Sequence, residues 1–182
     1  MVTNAGFLEV ILGPMFSGKT THIVDLYEKY MATGISTLVI NHSADIRYHD
    51  TMLSTHDKRM IPCIFIDTLE FAMDRYDKVE AILINEGQFF PDLYDVVVRL
   101  VNIHNKRVHI CGLDGDFKRM KFGALLDLIP MCDTVTKLNS RCTNCRNPAI
   151  FSHRVTNEIN QIVIGSDNYM PLCRCCYNKA NA

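Results

Sequence analysis

No charge of one sign dominates this sequence: nineteen Lys+Arg stand against twenty Asp+Glu, a net charge of −1 over 182 residues. Such near-balance argues against a generally basic nucleic-acid or anionic-membrane binder. Long apolar runs are missing too, and none approaches the ~18 to 20 residues of a membrane span. The opening stretch MVTNAGFLEVILGPMF lacks a basic region and carries Glu9 within its apolar part, so no secretion signal is expected there. Internal repeats and low-complexity tracts are also absent. What remains is 48% hydrophobic and 21% charged, enough to bury an ordinary core. Eight cysteines are present, five of them between 142 and 176. Without a secretion signal, that cluster reads as metal binding rather than as a disulfide scaffold, and a reducing, cytoplasmic setting is expected.

The first two-thirds alternate short β-branched or apolar runs with longer helical stretches. Strands are expected at 7–12, 36–41, 62–66, 81–85, 107–113 and 135–138, and helices at 21–34, 68–77 and 91–105. Residues 43–60 are polar and aperiodic and read as a loop. Such alternation specifies a parallel sheet covered on both faces, with ligands beyond the carboxyl ends of its strands. After about residue 140 the character changes to cysteine pairs, turns and short alternating runs (IFSHRV, QIVIG). The expected fold class is therefore α/β: a parallel-sheet, RecA-like P-loop NTPase core over 1–138, and a small zinc-binding lasso domain over 139–182.

The strongest motif is Gly13-Pro14-Met15-Phe16-Ser17-Gly18-Lys19-Thr20, which matches G-x-x-x-x-G-K-[ST] between a strand and a helix. Its glycines let successive backbone N–H groups and a helix N-terminus face phosphate oxygens. Lys19 adds a point charge for the β/γ-phosphates, and the Thr20 hydroxyl suits Mg²⁺. The second motif is AILINEGQFFPD, a buried strand ending in Asn85-Glu86, where P-loop enzymes place a magnesium acid and a catalytic carboxylate. Glu86 is the candidate general base. Asn85 is neutral and supports Mg²⁺ more weakly.

Phe89, Phe90, Phe117 and Phe122 are expected near the strand ends, where their faces can stack on a base. Cys142-x2-Cys145 and Cys173-x2-Cys176 describe a tetrathiolate zinc site clasping a 27-residue loop. Cys175 is a bystander, and Cys63, Cys111 and Cys132 read as buried. Within that loop Arg154 is the lone base in residues 147–172, poor material for a nucleic-acid surface. The histidines carry no ligand spacing. His42 and His56 flank the aperiodic loop.

Together these residues resemble the type II thymidine kinases of cytosolic eukaryotic, bacterial and large-DNA-virus kind. The resemblance runs through GPMFSGKT, Asp45-x-Arg47-Tyr48, Thr55-His56-Asp57, Glu86-Gly87-Gln88-Phe89-Phe90-Pro91-Asp92, Leu113-Asp114-Gly115-x-Phe117, and Cys-x2-Cys…Asp167-x-Tyr169…Cys-x2-Cys, in family order. It implies phosphorylation of the 5′-hydroxyl of thymidine or deoxyuridine by MgATP, with Glu86 as base. Residues 13–20, Asp45, Arg47, Asn85 and Gln88 would form the ATP and phosphate site. Met15, Phe89, Leu113, Phe117 and Phe122 would line the base pocket, with Ser152 near the thymine methyl. The lasso segment Asn160, Gln161, Ile162, Val163 and Ile164 would hold the base by main-chain atoms, beside Tyr169. A homotetramer, inhibition by thymidine triphosphate and a structural Zn²⁺ are further implications; nucleic-acid or membrane partners are not.

Three positions depart from the family pattern. Asn85 stands for the family's acid, Asp116 for a threonine, and Ile164 for the first glycine of a Gly-Gly pair. The Asn85 departure keeps open a second reading, a catalytically weak nucleotide-binding homologue that serves as a scaffold or sensor.

Overall fold

The computed structural model describes residues 5–45, 51–163 and 165–182. In chain order the elements are β1 (Phe7–Leu12), α1 (Lys19–Ala32), β2 (Thr37–His42), β3 (Met52–Ser54), β4 (Met60–Pro62), β5 (Ile64–Ile66) and α2 (Met73–Tyr76). There follow β6 (Ala81–Ile84), α3 (Leu93–Asn102), β7 (Arg107–Gly112), β8 (Thr134–Lys137), β9 (Ser140–Arg141), β10 (Pro148–Ala149), β11 (Phe151–Arg154), β12 (Tyr169–Leu172) and α4 (Arg174–Ala180). Six strands form one sheet in the order β5-β2-β6-β7-β1-β8, every pair parallel. Strand side chains alternate between two apolar layers, the signature of a sheet covered on both faces. Leu8, Val10, Ile82, Ile84 and Val108 pack with α3 on one side, while Ile11, Leu83 and Cys111 pack with α1 on the other.

The α/β class and the parallel sheet are as expected. Differences are local and have physical causes. The aperiodic stretch 43–60 contains half of an antiparallel ribbon, β3 with β4, which buries Leu53 and Ile61 against the α1 side. Strands of three residues are too short for alternation to stand out in the sequence. The helix expected at 68–77 is a 3-10 turn followed by one turn of α2. Its first N–H groups, Leu69 and Glu70, donate to the Asp92 carboxylate at 3.1 and 3.0 Å. Asp92 thus caps a neighbouring turn rather than its own helix α3. The described residues of the run QIVIG, 161–163 and 165, form no strand; β11 pairs instead with β12.

Beyond β8 the ribbons β9–β10 and β11–β12 and helix α4 enclose a small core of Cys142, Ala149, Leu172, Cys173 and Tyr177. Specific bonds tie this module to the sheet's carboxyl edge. The Met15 N–H donates to Ser152 Oγ (2.9 Å), the Ser140 hydroxyl to Phe16 O (3.0 Å), and the Tyr177 hydroxyl to Phe117 O (2.5 Å). Among the described residues no helix is long and apolar enough to cross a membrane.

Candidate active site

The loop between β1 and α1 wraps tightly because Phe16 and Gly18 adopt left-handed backbone, φ 61° and 84°. Gly18 takes this conformation at no steric cost, and it turns N–H groups at the start of the 14-residue α1 outward as an anion nest. Lys19 is nearly buried, and its ammonium donates to the carbonyls of Gly13 and Pro14 at 3.0 and 2.8 Å. The amine is therefore stored inside the loop that it would leave to meet a phosphate.

An open cleft begins at this loop and runs past the ends of β2, β6 and β7 to the cysteine-clasped segment. From the phosphate loop, Met15 through Thr21 line it, and Asp45, Glu86 and Gln88 face it from the strand ends. Thr20, Asp45 and Glu86 offer one hydroxyl and two carboxylates, the hard oxygen donors that Mg²⁺ takes. Glu86 follows β6 in left-handed backbone, φ 56° and ψ 41°. For a residue with a Cβ this conformation is strained. Its carboxylate accepts from the Gln88 amide at 2.6 Å, and Gln88 Oε1 in turn accepts from the Leu113 N–H at 3.0 Å.

At the other end Phe89 and Phe122 meet edge to face, 5.5 Å between centroids, with Leu113 and Tyr169 nearby on the wall. His42 backs Phe89 and Phe90, and its Nδ1 accepts from the Ala44 N–H at 3.0 Å. Burial pushes the His42 pKa down, outweighing the nearby Asp67. The ring is thus a neutral support. Gln161, Ile162, Val163 and Gly165 close the cleft from the lasso.

The cleft unites most of the sequence-predicted residues but leaves some off its wall. Gly13 and Pro14 lie behind the loop's lining. Phe90 is a core residue. Phe117 is covered by the Arg154 guanidinium, 3.7 Å from its centroid, and Asn160 and Ser152 face other partners. Asn85 sits beneath the floor, 1% exposed. Arg47 and Ile164 lie outside the described residues. Asp116, expected as added negative charge, is tied down: Oδ1 accepts from the N–H groups of Lys118 and Met120, and Oδ2 from the Gln161 amide, each at 2.9 Å.

Sequence reasoning missed two contributions. Ribbon residues Met52 and Ser54, with Phe65 of β5, line the cleft; for Phe65 the strand-end rule was a usable signal. Arg154 is the other. It is 4% exposed and gathers the lasso by donating to the carbonyls of Glu158 (2.9 Å), Asn160 and Gln161 (3.0 Å) and to the Tyr169 hydroxyl (2.6 Å). Tyr169 then donates to Val163 O at 3.1 Å. Three lasso carbonyls from 160 to 163 therefore turn inward. A lone arginine in a loop otherwise without bases was the available hint.

The four cysteines of the two pairs converge, with all Sγ atoms within 4.8 Å of one another and Cys145 and Cys173 at 3.5 Å. Zn–S bonds of about 2.3 Å in a tetrahedron need S···S near ~3.8 Å, so the set fits Zn²⁺. The crowding splits the thiols. Hydrogen bonding to Cys145 and Cys173, then burial, pushes Cys176 up to about 12. In Cys142 burial is outweighed by backbone N–H groups from Cys173, Cys145 and Asn144, which bring it to about 6. Four sulfurs so placed cannot all ionise without a cation between them. Cys175 lies exposed beside the set.

A phosphate loop at the head of α1, an acid at the end of a central parallel strand and a clasped lasso on one cleft define a P-loop nucleotide-binding protein with the layout of a phosphotransferase. Comparison with known proteins narrows that class. The thymidine kinase family model matches residues 6–177. The chain is 39% identical to thymidine kinase a of Arabidopsis thaliana over 94% of its length and 74% of the relative's. It is 37% identical to the thymidine kinase of Yaba monkey tumor virus over 100% and 99%, and 36% identical to the cytosolic thymidine kinase of Bos taurus over 96% and 73%. The chain belongs to the thymidine kinase family.

Proposed function

We propose that this protein transfers the γ-phosphoryl group of ATP to the 5′-hydroxyl of thymidine, with deoxyuridine as a second acceptor. The observation that carries the reading is that the phosphate loop, Glu86 and the aromatic lasso end share one cleft in that order. The donor triphosphate lies on residues 13–20, with Lys19 moving from its loop carbonyls to the β/γ-phosphates. Thr20 and Asp45 would hold Mg²⁺, which would supply charge neutralisation there, with Arg47 joining the phosphates. Glu86, oriented by Gln88, accepts the proton of the attacking hydroxyl, and in-line geometry does most of the remaining work. The base packs against the wall formed by Phe89 and Phe122. Lasso main-chain atoms from 160 to 164 read its edge beside Tyr169, which penalises a base that leaves them unpaired. Residues 139–182 act as the lasso domain, set by a structural Zn²⁺. The same reading extends to a homotetramer that works in the cytoplasm and is inhibited by thymidine triphosphate.

Steady-state ADP release by the zinc-loaded protein with MgATP tests this. Thymidine-dependent turnover is expected, absent with deoxycytidine. Glu86→Gln is expected to lower kcat by about 10²- to 10⁴-fold while ATP binding persists. Unchanged turnover in that variant removes Glu86 as the base.

A further inference from the structure

Beneath the phosphate end of the cleft lies a chain of uncharged polar side chains that reaches the cleft at Thr20 and at Asp45. Asn85 and Asn41 are each 1% exposed, at the ends of neighbouring strands β6 and β2. Asn85 Oδ1 accepts from the Cys111 thiol at 2.9 Å and from the Thr20 hydroxyl at 3.5 Å. Burial pushes the Cys111 thiol up to about 12, so it stays protonated and remains a donor. Thiol and hydroxyl each have a proton to donate, which fits the Asn85 oxygen facing both. The Asn85 NH₂ then faces Asn41 Oδ1, at 2.8 Å. With its oxygen occupied, Asn41 has only its NH₂ to offer outward. It donates to Asp45, at 3.3 Å to Oδ2 and 3.4 Å to the carbonyl. Asp45 lines the cleft; Asn41 and Asn85 do not.

We propose that Asn41 and Asn85 form a neutral amide relay that orients the Asp45 carboxylate at the phosphate end, making Asn41 a positioning residue for the acid that supports magnesium. This rests on the MgATP reading above and goes beyond it. Residue 85 is not a weakened metal ligand but the base of a different arrangement, in which the carboxylate comes from the loop after β2. The relay makes an unusual demand on substitutions. A carboxylate at 85 would set oxygen against Asn41 Oδ1. Asn41 must then turn, presenting that oxygen to Asp45 and repelling it.

The test is calorimetric titration of ATP into the zinc-loaded protein, once with Mg²⁺ and once with chelator, so that the ratio of the two affinities isolates magnesium support. Asn41→Leu is expected to reduce that ratio by about 10-fold, the effect of a lost hydrogen bond to a charged group, with chelator affinity unchanged. Asn85→Asp is expected to reduce it likewise rather than raise it. Both single variants also disturb buried polar groups, so the pair Asn41→Lys/Asn85→Asp decides. A lysine donates to both carboxylates, and the double variant should recover the ratio to within about twofold. A higher ratio in Asn85→Asp alone, an unchanged ratio in Asn41→Leu, or a double variant no better than the singles overturns the relay. If the unaltered protein binds ATP in neither condition, the nucleotide reading itself fails, and the relay with it. Binding of ATP with no magnesium enhancement leaves that reading standing and overturns the relay alone.

Discussion

Gln88 illustrates how little freedom the site leaves a single side chain. Its oxygen is held by the Leu113 N–H, which leaves its NH₂ no choice but the Glu86 carboxylate. Gly112 gives it room: a Cβ there would lie 2.4 Å from Gln88 Oε1 and 2.8 Å from a Leu125 methyl. The glutamine is 4% exposed, so a substitute cannot recruit water easily. Gln88→Met keeps the volume but removes the donor, and kcat should fall by roughly 10-fold or more with KM for thymidine nearly constant. An unmoved kcat would return Gln88 to a packing role. In the sequence Gln88 was legible only as part of a motif. Its partner Leu113 N–H is 25 positions away, a contact no local spacing encodes.

Among the elements, the lasso shows how a segment without secondary structure is held. Its backbone bonds go to a side chain rather than to a ladder, and Arg154 supplies them from the end of β11. The guanidinium is sandwiched as well, 3.7 Å from the Phe117 centroid and 5.1 Å from that of Tyr169. Planarity matters here, since one fork must reach several oxygens at once. Arg154→Lys keeps the charge but not the fork. KM for thymidine should rise roughly 10-fold while ATP affinity holds, and limited proteolysis should find new cleavage between 155 and 165. Intact lasso resistance to protease with an unchanged KM would show that the zinc clasp alone sets the segment. The run QIVIG looked like a strand because its residues alternate. Bonds from Arg154 to the Gln161 carbonyl and from Tyr169 to the Val163 carbonyl hold it instead.

At the scale of the whole molecule, a buried polar cluster links the sheet to α1 on the side away from α3. Glu9 on β1 accepts from Thr136 of β8 at 2.6 Å and pairs with His109 of β7 at 2.7 Å, and His109 in turn meets the Tyr30 hydroxyl of α1 at 2.6 Å. The bond to His109 holds the Glu9 carboxyl below its usual range, against the opposing cost of burial, with Thr136 adding to the effect. A carboxylate depressed in the folded state contributes stability above its unfolded pKa, and that contribution is lost as pH falls through the folded value. Unfolding midpoints in urea measured from pH 7 down to 3 should therefore drop below about pH 4.5. Glu9→Gln should be less stable at pH 7 and should flatten that fall; an identical slope would move the acid sensitivity elsewhere. The sequence by itself determined the α/β class, the parallel sheet, the phosphate loop and the four cysteine ligands. All of these rest on periodicity or on short spacings that neighbouring residues impose. Only the tertiary structure decided that Asn85 lies under the cleft rather than in it, that Arg154 is the lasso's anchor and that Asp116 accepts from the lasso's Gln161 amide. Those outcomes depend on which distant donor meets which buried acceptor, and that pairing exists only once the sheet has brought the strand ends together.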